Sequence, residues 1–554
     1  MKINNFFTQN LIFFILLLSA LLRFWNLSNI PPHMTPDEAS LGYNAYSILK
    51  TGRDEYGQFL PLVFKSFGDY KPGLYVYLTV PSVAIFGLNE FSTRFPSALV
   101  GVLIVYLTYL ITKSFFGQKT GLITSFIASV TPWLIYFSRG AWEANISLAL
   151  VLLGTYLFIK SFENNKYVVG SIVSFALTLI AYQGAKISTA IVVVLLFTLY
   201  FDKIKKFEKK YVFSGLFLGL IVSLPILMSL VNGSVGRLEV FSIFSYPRPT
   251  EYVQAILDKG GEKLGDPYYY LFHSESQSFS SGIMWRWFNH FSGSFLFFSG
   301  DTANPRHTAP YQGVLLISDM FLLVLGLFTV FKDRISKEKL FFLLWLFLAP
   351  LPSILSRDQM HAVRSLNMVI PLIVVCSFGL GLLLEIVNKS KYKLICFMVI
   401  GGVYIASFLY FLDAYFIHVP KHSSNLWQYG YKQIVETITP VQNNYKIVKV
   451  QQSFAQPYIY FLFFQKYDPH KYQKSAILSE SEYKFDVGYV TKLDNIEFIN
   501  IDWSLERNSH ESLIVTDAVK ITEDDIKKSS NVNLIKEIKY LNNRDAAFRI
   551  VETK

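Results

Sequence analysis

Residues 203–231 read KIKKFEKKYVFSGLFLGLIVSLPILMSLV. Lys203, Lys205, Lys206, Lys209 and Lys210 lead into Tyr211–Val231, a stretch without a single charge. Coiled into a helix, such a stretch rises about 30 Å, the thickness of a bilayer's hydrocarbon core. Lysines that flank a span stay on the cytoplasmic side. This segment therefore predicts both a membrane crossing and its direction.

Similar apolar runs lie near residues 11–29, 96–113, 120–138, 143–162, 167–183, 187–201, 311–331, 338–356, 367–387 and 393–413. Further basic clusters, Lys113/Lys119, Lys160/Lys166, Lys332/Arg334/Lys337/Lys339 and Lys389/Lys391/Lys393, fall in every second connection. The positive-inside rule places them all in the cytoplasm. A further apolar stretch, Leu74–Leu88, is short and holds Pro81. If it crossed, every later segment would be reversed relative to the N-terminus. It reads as a juxtamembrane or re-entrant helix. The expected fold class is a polytopic α-helical membrane protein with eleven spans, N-terminus inside and C-terminus outside, in the plasma membrane.

Composition agrees. The 554 residues are 52% hydrophobic and only 16% charged, against about 25% charged in soluble domains. The net charge of +11 is carried by the topological clusters, so it does not imply nucleic acid. The first run, Leu11–Leu27, lacks a small-residue cleavage site and reads as an uncleaved span. Cys376 and Cys396 both fall inside predicted spans. They offer neither a disulfide framework nor a zinc site.

Three regions are expected outside: a loop at 30–95, a loop at 232–310, and a tail from 414. The division is a transmembrane domain over 1–413 and a soluble α/β domain over 414–554, a size that holds its own core. In the tail, Tyr445–Val450 and Tyr458–Phe463 look strand-like and Glu523–Lys528 helix-like.

The first loop carries Asp37 and Glu38 just after the first span, in Thr35-Pro36-Asp37-Glu38. Two adjacent carboxylates at a lipid–water boundary repel each other and lose water, which suits one of them to general-base work. The plainer reading is a helix start, with Thr35 as cap and Pro36 in the first turn. The two readings are compatible. Cations gather at the same side: Lys71 in Lys71-Pro72-Gly73, Arg94 with Glu90, Arg139 before Glu143, Arg306 with His307, and Arg364 after His361. Arginines on an outer face need partners, and a lipid phosphate is one that guanidinium binds well. Ordinary pairing with Asp358 or Glu143 is the alternative. For His33, His307 and His361, no close His/carboxylate spacing supports a metal site, so no metal is assigned and no cofactor is required; a divalent ion stays undecided.

At these residues the sequence resembles the GT-C superfamily, in the branch of dolichyl-phosphate-mannose protein mannosyltransferases and lipid A aminoarabinose transferases. The matching pieces are Asp37-Glu38, Lys71-Pro72, Arg94-Phe95-Pro96-Ser97-Ala98, Ser138-Arg139, Gly300-Asp301 to Arg306-His307, and His361-Ala362-Val363-Arg364. They run in order over residues 10–415. The tail is similar to the C-terminal domain of bacterial and archaeal members.

The resemblance implies transfer of a single sugar, mannose among the candidates, from a polyprenyl-phosphate donor to a protein, lipid or glycan acceptor, with inversion. Asp37 would be the base and Glu38 its support. Lys71, Arg139 and Arg364 would hold the donor phosphate. Arg94, Glu143, Arg306, His307 and His361 would contribute to substrate binding. Two departures stand out. Pro72 is followed by Gly73 where a second proline is common in the family, and the acid pair lacks the Asp-x-Asp spacing of metal-dependent relatives. Trp427-Gln428-Tyr429-Gly430 only faintly resembles the oligosaccharyltransferase signature.

Two other classes compete. A transporter or flippase for lipid-linked glycans places ionisable residues near mid-membrane, whereas these spans are nearly free of them. A polysaccharide polymerase or ligase should concentrate its arginines in one large loop, whereas here they are spread over several.

Overall fold

The computed structural model describes residues 2–67, 69–231, 242–332, 334–452, 456–479 and 488–554. The first ten positions of the expected loop 232–310 lie outside these. The chain is mostly helical, with several apolar helices suited to a membrane and a β-sheet domain at the C-terminal end.

All eleven expected runs coincide with helix, but they are not equal. Glu90–Phe116, Glu143–Ser161, Lys209–Met228, Leu366–Lys389 and Lys393–His422 are long and apolar enough to cross a bilayer. Gln118–Val130 and Pro132–Ser138, bent by 58°, make a sixth crossing if taken together. The bend falls at Pro132, which has no N–H to offer the preceding turn. The other five are shorter: Asn10–Phe24, Tyr167–Leu179 and Ala185–Leu199, with Asp319–Lys332 and Lys337–Leu348. The helix at Leu74–Phe86 has 13 residues around Pro81, so it rises only about 20 Å.

The run expected at 311–331 is helical only from Asp319. Ahead of it, Val314 and Leu315 donate to the carbonyls of Phe295 and Leu296, and Trp133 donates to the Val314 carbonyl at 2.9 Å. Pro310 and Gly313 disfavour helix there. Irregular backbone at this depth is tolerated because it is buried in protein and hydrogen-bonded. The helices on the rim turn apolar side chains such as Phe217, Leu220, Met398 and Leu409 outward, as a lipid-facing surface must.

Strands β1 (Val63–Ser66) and β2 (Asp69–Pro72) form an antiparallel hairpin in the first loop. The tail holds a six-stranded sheet of β3 (Ile447–Gln451), β4 (Lys492–Leu493), β5 (Ile496–Ile499), β6 (Ser512–Asp517), β7 (Val532–Lys539) and β8 (Ala546–Thr553). Its order is β4-β5-β3-β6-β8-β7, with β3 parallel to both neighbours and the other pairs antiparallel. Glu523–Lys528 is a helix as expected. Tyr458–Phe464 is also a helix, not the expected strand. Its side chains from Tyr458 to Phe463 are all buried, and a short, wholly buried apolar run has no periodicity that separates strand from helix.

The tail and the first loop share one hydrophobic core. Met34, Tyr43, Phe64, Phe67 and Tyr75 pack in the same cluster as Tyr431, Tyr458, Phe461, Phe463 and Phe548. Polar contacts reinforce it. Tyr43 donates to the Tyr467 carbonyl at 3.1 Å, and Gln473 donates to Ser47, Thr51 and the Asp54 carbonyl.

Glu55 is buried in this seam, accepting from the Asn44 amide at 3.2 Å. Burial pushes its carboxyl up to about 8. Because the folded value lies above the ordinary one near 4.5, the folded chain keeps a proton that the unfolded chain gives up. Its contribution is intact below about pH 4.5 and lost progressively as pH rises to 8. Glu55→Gln should therefore raise Tm at pH 8 while leaving it nearly unchanged at pH 4.5. Equal Tm shifts at both pH values would contradict this.

Candidate active site

The helix Pro36–Thr51 begins with Thr35 as N-cap, Pro36 in its first turn and a capping box: Thr35 N donates to Glu38 Oε2 at 3.0 Å, and Glu38 N donates to Thr35 Oγ1 at 3.2 Å. Successive helical residues point about 100° apart, so the two carboxylates face different ways. Glu38 turns inward. It accepts from Arg94 Nε at 3.0 Å, Arg94 NH2 at 3.3 Å and the Ala141 N–H at 2.9 Å. Arg94 completes its donors on the carbonyls of Leu27, Pro31 and His33. Both side chains are buried.

Asp37 turns outward. Its side chain is 66% exposed and forms an ion pair with Lys71 on β2, which is only 12% exposed. Lys71 also lies over the Phe67 ring. The hairpin is held against a turn between two short helices: Gln183 donates to the Tyr70 carbonyl at 2.8 Å and Leu74 N to the Ile180 carbonyl at 3.1 Å.

Arg139 is turned into the protein. Its guanidinium donates to the carbonyls of Leu22, Arg23, Trp25 and Ile30 at 2.6–3.1 Å and lies over the Phe416 ring. The last carbonyls of the helix ending at Phe24 have no intrahelical partner, and Arg139 supplies one. Arg23 does the same for the next helix, donating to the carbonyls of Ala128 and Ser129. Arg94 is likewise part of the frame.

A second cluster joins distant loops. Asp301 Oδ2 accepts from the Ala362 N–H at 2.8 Å and lies 2.9 Å from His307 Nδ1. Asp301 Oδ1 accepts from Asn304 N at 3.0 Å. The rings of His307 and His361 are 4.9 Å apart. One ligand atom from each of Asp301, His307 and His361 lies within 4.8 Å of the others, a grouping that can hold a metal ion. Burial pushes both imidazoles below their ordinary range, His361 well below, with Arg364 adding to the effect on each. Arg364 pairs with Asp358 at 2.6 Å.

The two clusters are neighbours. The Ala141 N–H meets Glu38 at 2.9 Å, and the next residue, Trp142, packs its ring 5.5 Å from that of His307. Glu143 is half-buried at the head of its helix, beside Trp142, whose ring packs edge-on to His307. The fold thus gathers Asp37, Lys71, Glu143, Arg306, His307, His361 and Arg364 at one end of the bundle and draws Glu38, Arg94 and Arg139 into the frame.

Sequence reasoning missed the tail's share of this region. Tyr460 donates to the Met34 carbonyl and to Gln428 Oε1, and Lys432 N–H donates to His33 Nε2 at 3.2 Å. Burial lowers His33 to about 4, consistent with its acceptor role. A separate cavity of about 760 Å³ on the tail, lined by Asp468, Lys471, Lys474 and Asp494, shares no residue with these clusters.

Residues 70–228 match the family profile described as dolichyl-phosphate-mannose-protein mannosyltransferase. The solved structure of ArnT from Cupriavidus metallidurans bound to undecaprenyl phosphate superposes over 97% of both chains, with a TM-score of 0.53 and 11% identity. This chain has the GT-C glycosyltransferase fold. AglB, the archaeal oligosaccharyltransferase from Archaeoglobus fulgidus in complex with an inhibitory peptide and a dolichol-phosphate, is similar over 84% of this chain and 64% of its own, with a TM-score of 0.51 and 12% identity. By sequence, the Bacillus subtilis (strain 168) proteins YkcB and YycA, carried under provisional mannosyltransferase names, are 29% and 26% identical over 28% and 30% of this chain. The matched stretches span 21% and 24% of those relatives' length.

The opposite orientations of Asp37 and Glu38 separate their roles in stability. Glu38→Ala strands a buried guanidinium and should cost about 3–5 kcal/mol, whereas Asp37→Ala, at an exposed pair, should cost less than about 1 kcal/mol. Denaturation of the two variants in detergent measures this, and similar losses for both would contradict it.

Proposed function

We propose that this chain is a membrane glycosyltransferase that moves one sugar from a polyprenyl-phosphate donor to an acceptor hydroxyl. The observation that carries this reading is Asp37, the exposed carboxylate of the pair, held beside Lys71 on a frame locked by Glu38 and Arg94. Both similar solved structures are described with a polyprenyl phosphate bound, and the profile over 70–228 is that of a mannosyltransferase family.

In this reading Asp37 takes the proton of the acceptor hydroxyl as its oxygen attacks the anomeric carbon. The bond to the phosphate oxygen breaks on the opposite face, so the anomeric configuration inverts. Lys71, Arg306 and Arg364 stabilise the departing polyprenyl phosphate, where scarce water makes fixed cations most effective. Glu38 acts only through position, by fixing the helix turn that bears Asp37. Arg94 and Arg139 are assigned to the frame: Arg139 leaves the set of phosphate ligands, and Arg94 leaves the set of substrate-binding residues. Glu143, His307 and His361 are assigned to the wall of the substrate site.

The chain is assigned eleven crossings, five of them short, with the N-terminus cytoplasmic in the plasma membrane. The site and the domain at 414–554 then lie outside, above the transmembrane domain at 1–413. The acceptor is a protein, lipid or glycan, and mannose is the first sugar to try. In this reading the tail, whose Tyr460 donates to the Met34 carbonyl of the first loop, covers the site.

Asp37→Asn keeps the side chain's shape but cannot accept the proton. Single-turnover assays with purified protein and radiolabelled polyprenyl-phosphate sugars should give a transfer rate at least about 100-fold below wild type, with donor affinity retained. Transfer at the wild-type rate would remove Asp37 from the base role.

A further inference from the structure

We propose that Asp301, His307 and His361 form a binding site for one divalent transition-metal ion of the zinc class, which ties the Gly300–Thr308 loop to the Ser356–Arg364 turn. Two imidazoles and one carboxylate are the donor set that borderline ions such as zinc prefer, while magnesium and calcium favour oxygen alone. Asp301 and His307 share one loop, and His361 comes from a turn more than fifty residues further on, so the meeting of all three is a product of the fold. His307 Nδ1 and Asp301 Oδ2 stand 2.9 Å apart, close to the roughly 3.3 Å that separates two ligands on a tetrahedral ion with bonds of about 2.0 Å. The proton between them occupies the place an ion would take. His361 supplies the third donor, and all three ligand atoms lie within 4.8 Å of one another, a spacing that a small side-chain rotation closes around an ion.

The surroundings support the assignment. Asp301 Oδ1 is fixed by Asn304 N and Oδ2 by Ala362 N, so the carboxylate is oriented from both loops before any ion arrives. Such outer contacts commonly hold metal ligands in place. Arg306 precedes His307 and Arg364 follows His361 by three residues. An ion joining the loops would fix the spacing of these two arginines. Its role is therefore positional, and the site stands whether or not the chain transfers sugar.

Full-length protein in detergent, stripped with a chelator and dialysed, is titrated with Co²⁺ and then with Zn²⁺. The account expects one Co²⁺ per chain, visible ligand-field bands characteristic of nitrogen-containing low coordination, displacement by Zn²⁺, and a Zn²⁺-dependent rise in Tm. His361→Gln is the mildest change, because the imidazole is held by a long hydrogen bond, accepted from the Arg364 N–H at 3.3 Å, that glutamine can also accept. It should lower Co²⁺ affinity at least about 10-fold and abolish the Tm rise, while eluting as wild type does. Asp301→Asn should also weaken Co²⁺ binding about 10-fold or more. Absence of stoichiometric Co²⁺ or Zn²⁺ binding by the wild type would overturn the proposal, as would unchanged binding in His361→Gln.

Discussion

The arrangement rests on the buried ion pair between Glu38 and Arg94. Removing two charges from water costs several kcal/mol for each, and the pair survives burial only because every donor and acceptor is satisfied. Glu38 meets Arg94, Thr35 N and Ala141 N, and Arg94 meets three carbonyls besides. These bonds join the first loop, the helix Glu90–Phe116 and the turn before Glu143. With that junction fixed, the first helical turn has one free direction, and Asp37 occupies it beside Lys71.

The arginines of this end of the bundle divide into two kinds. Arg23, Arg94 and Arg139 are fully buried and donate to backbone carbonyls. They satisfy polar groups that helix ends leave open in a medium with no water to replace them. Arg306 and Arg364 sit in loops, half-buried, close in sequence to His307 and His361. A buried frame cation holds the fold, and the proposed chemistry falls to the loop cations.

Much of the fold could be read from hydropathy, because each apolar run became a helix and the bend at Pro132 follows from proline's missing donor. The number of crossings could not be read as directly, since Tyr311–Ser318 leaves the helical path to pair with Phe295 and Leu296, and Pro310 and Gly313 mark the break in helix but not its distant partner. The helix start at Thr35 was legible as a cap. Which carboxylate would turn inward was not, because that depends on Arg94, which lies 56 residues further on. The inward turn of Arg139 onto a helix end was not legible, because an arginine beside an apolar run carries the same sequence signal whether it meets a lipid or a helix end. Asp301 and His307 share one loop, but their meeting with His361 was hidden for the same reason: spacing along the chain says nothing about a ligand from a separate loop. Tyr458–Phe464 shows the limit for buried runs, where strand and helix look alike.

The most direct test of the account follows the chemical fate of the donor. Purified protein is reconstituted into sealed liposomes carrying a polyprenyl-phosphate sugar labelled in both sugar and phosphate, with acceptor alcohols and peptides supplied. Sugar transfer predicts release of polyprenyl phosphate, with the sugar label bonded to an acceptor oxygen in inverted configuration. Movement of the intact labelled lipid from one leaflet to the other, with its sugar–phosphate bond unbroken, would contradict the account and make the chain a transporter.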